Sequence, residues 1–176
     1  MGVGDGISLD AVPGATEHFS DVLDSWCTSV EASLVQTGPV DSEAGPRSEV
    51  EYWQQRRSTF NGLTKQLHHH NCKVVLVSCI SSRARSLKKW RTLDNQITDA
   101  ANEAKDNVKY LEALEKYLDP LYDGNTDTII DGLPALLNNV KMMHTIARYY
   151  NTSERMTTLF CKITNQMITN CKMGVR

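Results

Sequence analysis

Before Arg47 the chain has no lysine or arginine at all, while eight acids (Asp5, Asp10, Glu17, Asp21, Asp24, Glu31, Asp41 and Glu43) fall in that stretch. The whole chain carries 19 basic and 21 acidic residues, so removing those eight leaves 19 against 13, a net charge of +6 from Arg47 onward against -2 overall. Such asymmetry separates an acidic leading element from a mildly basic body. A chain that is slightly acidic as a whole, with no stacking aromatics interleaved among its charges, is not expected to bind nucleic acid. Long apolar runs are also missing. The longest is Val74 to Val77, far short of the roughly 20 residues that span a bilayer, so no membrane is expected. A basic n-region and apolar h-region are absent from the start, so no secretory signal is expected there. The five cysteines (Cys27, Cys72, Cys79, Cys161 and Cys171) are odd in number and lack framework spacing. They read as reduced, mostly buried thiols of a soluble chain in the cytosol or a connected compartment.

Catalytic signatures are equally scarce. No Gly-x-x-x-x-Gly-Lys-[Ser/Thr] phosphate cradle occurs, no Gly-x-Gly-x-x-Gly opens a helix, and His-Glu-x-x-His is absent. Ser86-Leu87-Lys88-Lys89 matches Ser-x-x-Lys without the companion motifs of that enzyme class. No enzyme activity, cofactor or metal is expected. His68, His69, His70 and Cys72, with Cys79 nearby, invite a zinc reading. Adjacent helical side chains point roughly 100° apart, so three consecutive histidines cannot converge on one ion. They read instead as polar residues closing a helix.

What is present is helical periodicity. Residues 1–15, with four glycines and a proline, show no period and read as disordered. Phe19, Val22, Leu23, Trp26, Val30 and Leu34 recur at three- and four-residue spacing, an acidic lead helix over 16–36. Two Gly-Pro pairs in 37–47 form a linker. The body, 48–172, opens on Ser48-Glu49-Val50-Glu51, a capping box, and continues through Trp53, Phe60, Leu63 and Leu67. A long helix is expected from about Lys73 to Asp119, roughly 70 Å at about 1.5 Å per residue, ended by Pro120. Its stripe passes Ile80, Leu87 and Trp90. From Ile97 through Ala101, Ala104, Val108 and Leu111 it alternates four and three, a coiled-coil-like seam part of which lacks an internal partner, and so a surface for self-association. Pro134 opens a further helix to Tyr150 with Leu137, Val140, His144 and Ala147 on one face, and the last helix carries Met156, Phe160, Ile163, Met167 and Cys171. Residues 173–176 form the C-terminal end. No period of two lasts long enough to build a sheet. The fold class is all-α, an elongated bundle of about five antiparallel helices with one long helix.

Three groups stand out as interaction or packing candidates. Arg83, Arg85, Lys88, Lys89 and Arg91 place five cations in nine residues without an acid, and Leu87 with Trp90 makes the segment a basic amphipathic helix. Such a helix suits an acidic partner such as calmodulin, although a solvated face is the commoner use. Trp53 and Trp90 occupy stripe positions, where packing is the default. Tyr149, Tyr150, Asn151 and Glu154 form a helix-to-helix joint, with Asn151 as N-cap and Glu154 completing a reciprocal box.

Several separate blocks, in order, resemble the N-terminal tail region of dynein heavy chains, most of all axonemal outer-arm-type chains. They are Gly45 to Trp53 with Arg56-Arg57, Trp90 to Asp94, Ile97 to Leu111, Leu114-Glu115, Pro120 to Tyr122, Arg148 to Thr157, and Thr164 to Met167 with Cys171-Lys172. The resemblance covers about residues 16 to 172. It implies a segment of a tail of successive helical bundles that joins heavy chains and carries intermediate and light chains, in the cytoplasm, on the cytoskeleton and in the ciliary axoneme. It also implies that the ATPase ring and microtubule-binding stalk lie much further along the family's chains, and that the family's tail continues where this sequence ends in Met173-Gly174-Val175-Arg176.

Overall fold

The computed structural model describes residues 14–35 and 44–174. The expected disordered lead therefore lies outside the described residues for 1–13, as do 36–43 of the linker and the last two residues of the C-terminal end. The described residues are all-α. They form α1 (Ala15–Val35), α2 (Arg47–Leu67), α3 (His70–Ser81), α4 (Leu87–Leu118), α5 (Pro120–Asp123), α6 (Thr126–Ile146) and α7 (Ser153–Gly174), with no strand among them. The chain divides into two compact units, residues 1–37 with 60–100 and residues 38–59 with 101–176.

The first unit holds α1, the end of α2, α3 and the start of α4. Leu23, Cys27 and Val30 are the buried stripe of α1, which packs on α3. The Cys79 thiol donates to the Phe19 carbonyl at 3.6 Å, and burial raises its pKa and that of Cys27. The helix expected over 73–119 is in fact two. α3 ends in a pair of bonds that define a Schellman turn: Ala84 N donates to Cys79 O at 3.0 Å and Arg83 N to Ile80 O at 3.1 Å. Arg83 takes the left-handed position at φ 54°, where glycine is usual and a Cβ costs about 1 kcal/mol. Buried Cys79 and Ala84 supply the apolar contact that accompanies this turn. Periodicity cannot register such a break, because Arg83 carries no stop signal. Ile80, placed on the stripe, is exposed as a result. The histidine run is also a start rather than only an end, since His69 caps α3 by accepting from the Asn71 amide at 3.3 Å.

The second unit holds the start of α2, the rest of α4 and α5 to α7. Of the four-three seam, Ala104, Val108 and Leu111 are fully buried here and Ile97 is buried in the first unit, while Ala101 is half-buried. Pro134 lies inside α6 rather than opening a helix. The helix starts at Asn125, whose side chain accepts from the Thr128 amide at 2.9 Å, and proline there removes one backbone donor without ending it. The buried face of α6 is Ile129, Leu136, Val140 and Met143, while Leu137 and His144 point outward. α7 is rotated likewise. It buries Met156, Leu159, Lys162 and Ile163, and leaves Phe160 and Cys171 exposed.

The start of α2 is anchored by α5. Arg47 N donates to the Tyr122 hydroxyl at 3.0 Å, its guanidinium lies 4.0 Å from the Tyr122 ring centroid, and the same group pairs with Asp119 at 2.9 Å. Burial raises the Tyr122 phenol pKa. Gly45 fits closely: a Cβ there would stand 2.5 Å from the Tyr122 hydroxyl and 2.8 Å from Gln166 Oε1, so those side-chain ends would have to shift. Asn170 closes α5 from α7, donating to the Leu121 and Gly124 carbonyls at 2.9 and 3.2 Å.

Candidate functional site

The basic segment 83–91 opens α4, and its nearest acids come from α1. Arg85 bonds Asp24 through Nε at 3.0 Å and Nη2 at 2.6 Å, and reaches Asp21 at 2.9 Å. The Ser86 hydroxyl donates to the other Asp24 oxygen, and Lys89 pairs with Glu31 at 3.0 Å. The bond from Ser86, then that from Arg85, hold the Asp24 carboxyl below the ordinary carboxylate range. Beneath these bonds Trp90 is buried and its ring lies 5.9 Å from that of Trp26. The acidic lead helix thus occupies part of the surface that an external acidic helix would need. Arg83, Lys88 and Arg91 remain exposed, with no ion pair among the described residues.

In the second unit the structure assembles a polar centre that the pattern of apolar residues conceals. Glu49 and Lys162 form an ion pair at 3.0 Å, with side chains only 5 % and 0 % exposed. Glu49 Oε1 accepts from the Tyr150 hydroxyl at 2.9 Å and from Trp53 Nε1 at 3.3 Å. The Lys162 ammonium also donates to Ser48 Oγ at 3.0 Å, and that hydroxyl donates to the Gly45 carbonyl at 2.6 Å. Ser48 is therefore not paired with Glu51 in the expected capping box. The first α2 amide is met by Tyr122, and Glu51 is exposed. Burial, then the Glu49 charge and the hydrogen bond to it, raise the Tyr150 pKa far above the usual phenol value. Each member has its partner, which is the condition under which a buried charge pair is tolerated. The centre is a closed structural knot joining α2, α7 and the segment before α7.

Of the four residues expected at the joint, Tyr150 is buried, Tyr149 is half-buried, and Asn151 and Glu154 are exposed. Asn151 does not cap α7. Thr152 does, its hydroxyl accepting from the Arg155 amide at 3.3 Å. Arg155, which sequence reasoning passed over, completes the joint. It donates to the Tyr149 carbonyl at 2.7 Å, pairs with Glu103 at 2.5 Å and lies 4.9 Å from the Trp53 ring centroid. Trp53 and Tyr150 are thus brought together through Glu49, whereas Arg83 to Arg91 belong to the first unit. No group of three or more potential metal ligands converges among the described residues, and no described helix is long and apolar enough to cross a membrane.

The family described as dynein heavy chain, N-terminal region 1, matches residues 16–176. The chain is 49 % identical over 158 residues to the flagellar outer-arm dynein gamma chain of Chlamydomonas reinhardtii, covering 89 % of this chain and 4 % of that one. It is 46 % identical over 174 residues to dynein axonemal heavy chain 5 of Mus musculus, covering 97 % of this chain and 4 % of the relative. To dynein axonemal heavy chain 8 of Homo sapiens it is 43 % identical over 170 residues, 94 % of this chain and 4 % of the relative. The chain spans about one twenty-fifth of the length of these relatives. A match across all the described helices, with identity close to half, places this chain in the dynein heavy chain N-terminal region family.

Proposed function

We propose that the chain is a non-catalytic segment of an axonemal dynein heavy-chain tail. It acts as a scaffold for heavy-chain association and for intermediate and light chains, within the complex that drives microtubule-based ciliary movement. The observation that carries this reading is the family match over residues 16–176, which falls on the N-terminal region, together with relatives whose names place them in axonemes and flagellar outer arms. The chemistry agrees with it. The best-organised polar centre, Glu49 with Lys162, Tyr150 and Trp53, is buried and internally paired. Its side chains fix helices and present no exposed nucleophile or base. The location that follows is the cytoplasm and the ciliary axoneme.

The test is to express the tagged chain in ciliated cells and identify what co-purifies. Dynein intermediate or heavy chains should be enriched over a tag-only control, and the purified chain should not hydrolyse ATP above background. Recovery of no dynein chain from ciliary extract would sink the scaffold role. Turnover abolished by a substitution within residues 44–174 would sink the non-catalytic role.

A further inference from the structure

The second unit contains an open cleft of about 670 Å³ that joins mixed charges of α4 to Arg57 and Arg148, which are distant in sequence. Its floor is one face of α4, where Lys105, Asp106, Lys109 and Glu112 follow three- and four-residue spacing. Arg57 of α2 forms one wall, and Arg148 with Tyr149 the other. Four cations therefore face two acids, an excess of two positive charges, and of the acids only Glu112 is held in an ion pair. Asp106 accepts from the Arg148 amide at 3.0 Å. Glu112 accepts from Gln54 and Arg57, each at 3.1 Å. Arg57 is paired with Glu112, and Lys105, Lys109 and the Arg148 side chain make no ion pair within 4 Å among the described residues, although Asp106 shares the cleft. Lys109 and Arg148 lie over the rings of Tyr110 and Tyr149, at 5.1 and 5.2 Å from the centroids.

We propose that this cleft is a docking site for an acidic peptide segment of a partner protein, with carboxylates set against Lys105, Lys109 and Arg148. The argument is charge complementarity in a concave site. Cations that cover tyrosine rings lose part of their hydration, so an incoming carboxylate meets a lower desolvation cost than at an isolated surface lysine. In the segment 83–91, α1 already engages Arg85 and Lys89, while Arg83, Lys88 and Arg91 stay exposed on the surface, which makes them the control for simple charge attraction. A nucleic acid suits the site less well, since its unbroken run of phosphates would extend past the cleft over a slightly acidic chain, whereas a short acidic segment can end within it. The site deepens the scaffold reading by giving one surface and one partner chemistry, and its binding test does not depend on that reading.

The test uses the full chain and a fluorescein-labelled peptide of alternating glutamate and glycine, read by fluorescence anisotropy at low and high salt. Lys105→Gln with Lys109→Gln should weaken binding about tenfold, the scale of two screened charge contacts. Lys88→Gln with Arg91→Gln, on the first unit, should leave it unchanged. Circular dichroism melts of both variants check that the fold persists, which the exposure of all four lysine and arginine side chains favours. Unchanged affinity in the cleft variant, equal loss in the control variant, or tighter binding of a single-stranded oligonucleotide of matched charge would each overturn the proposal. If the peptide binds as expected but no dynein chain co-purifies from cilia, the scaffold reading fails and the cleft stands.

Discussion

The two units use ion pairs in opposite ways. In the first, α1 is tied to the α3–α4 turn by pairs open to solvent. Asp21 and Arg85 have side chains 71 % and 62 % exposed. In the second, Glu49 and Lys162 are sealed from water. Exposed pairs gain little, because water already solvates each charge and salt screens the rest. A sealed pair is barely favourable in total, yet losing one member leaves a bare buried charge. The contrast makes the polar tie of α1, laid over its buried stripe of Leu23, Cys27 and Val30, responsive to solution conditions, and the knot around Glu49 an all-or-none part of the fold.

Substitutions can break that contrast, beginning with the strongest. Lys162→Met should destabilise the chain by about 3–5 kcal/mol in urea unfolding, because Glu49 stays buried without its counter-charge. Combining it with Glu49→Leu should restore much of the loss. A double variant as unstable as the single one would show that shape, not charge, dominates the knot. Tyr150→Phe keeps the ring and removes only the bond to Glu49. It should cost about 2 kcal/mol, the range for a hydrogen bond to a charged group. Thr152→Ala should cost about 1 kcal/mol through the lost cap, whereas Asn151→Ala should stay within about 0.5 kcal/mol as an exposed substitution. Thermal melts that reverse these two would return the cap to Asn151. Arg83→Gly should raise stability by a few tenths up to about 1 kcal/mol, relieving the left-handed Cβ less the added chain entropy of glycine.

The smallest effect is the response of α1 to pH and salt. The folded pKa of Asp24 is depressed, so its contribution is complete above the unfolded value of about 4 and is lost as pH falls through the lower folded value. Tryptophan fluorescence from Trp26 and Trp90 should report loosening of α1 below that point, sooner at high salt. An Asp24→Asn variant should have lost that part of the response. An identical acid profile in both proteins would remove Asp24 from the account.

Helix type and the core of α4 were legible from periodicity, since Ile97, Ala104, Val108 and Leu111 sit at repeat positions and are buried. The errors arose where local signals were outweighed by distant partners. Ser48 and Glu51 look like a capping box, but Ser48 and Glu49 are engaged by Lys162, which lies 113 residues from Glu49. Lys162 itself reads as a polar gap, so the stripe of α7 was drawn through Phe160 rather than Leu159. The break at Arg83 was hidden because the residue in the left-handed position is not glycine. The basic segment was visible in sequence, whereas the pairing of Arg85 and Lys89 with α1 required the fold. The cleft of Lys105, Lys109 and Arg148 left little sequence signal, because the two lysines alternate with acids along α4 and Arg148 comes from the joint after α6.

Lys162 also sets the register of α7. Sliding the helix by one residue would move that side chain about 1.5 Å along the axis and about 100° around it, away from Glu49 and Ser48. Leu159 and Ile163, its neighbours on the buried face, accept many apolar environments and hold a helix in place only loosely. An ammonium group between them does not, because in any shifted alignment it would be buried without a carboxylate. One charged residue in an apolar stripe therefore works as an index mark. It selects a single alignment of α7 on α2 from several that hydrophobic packing alone would leave close in energy.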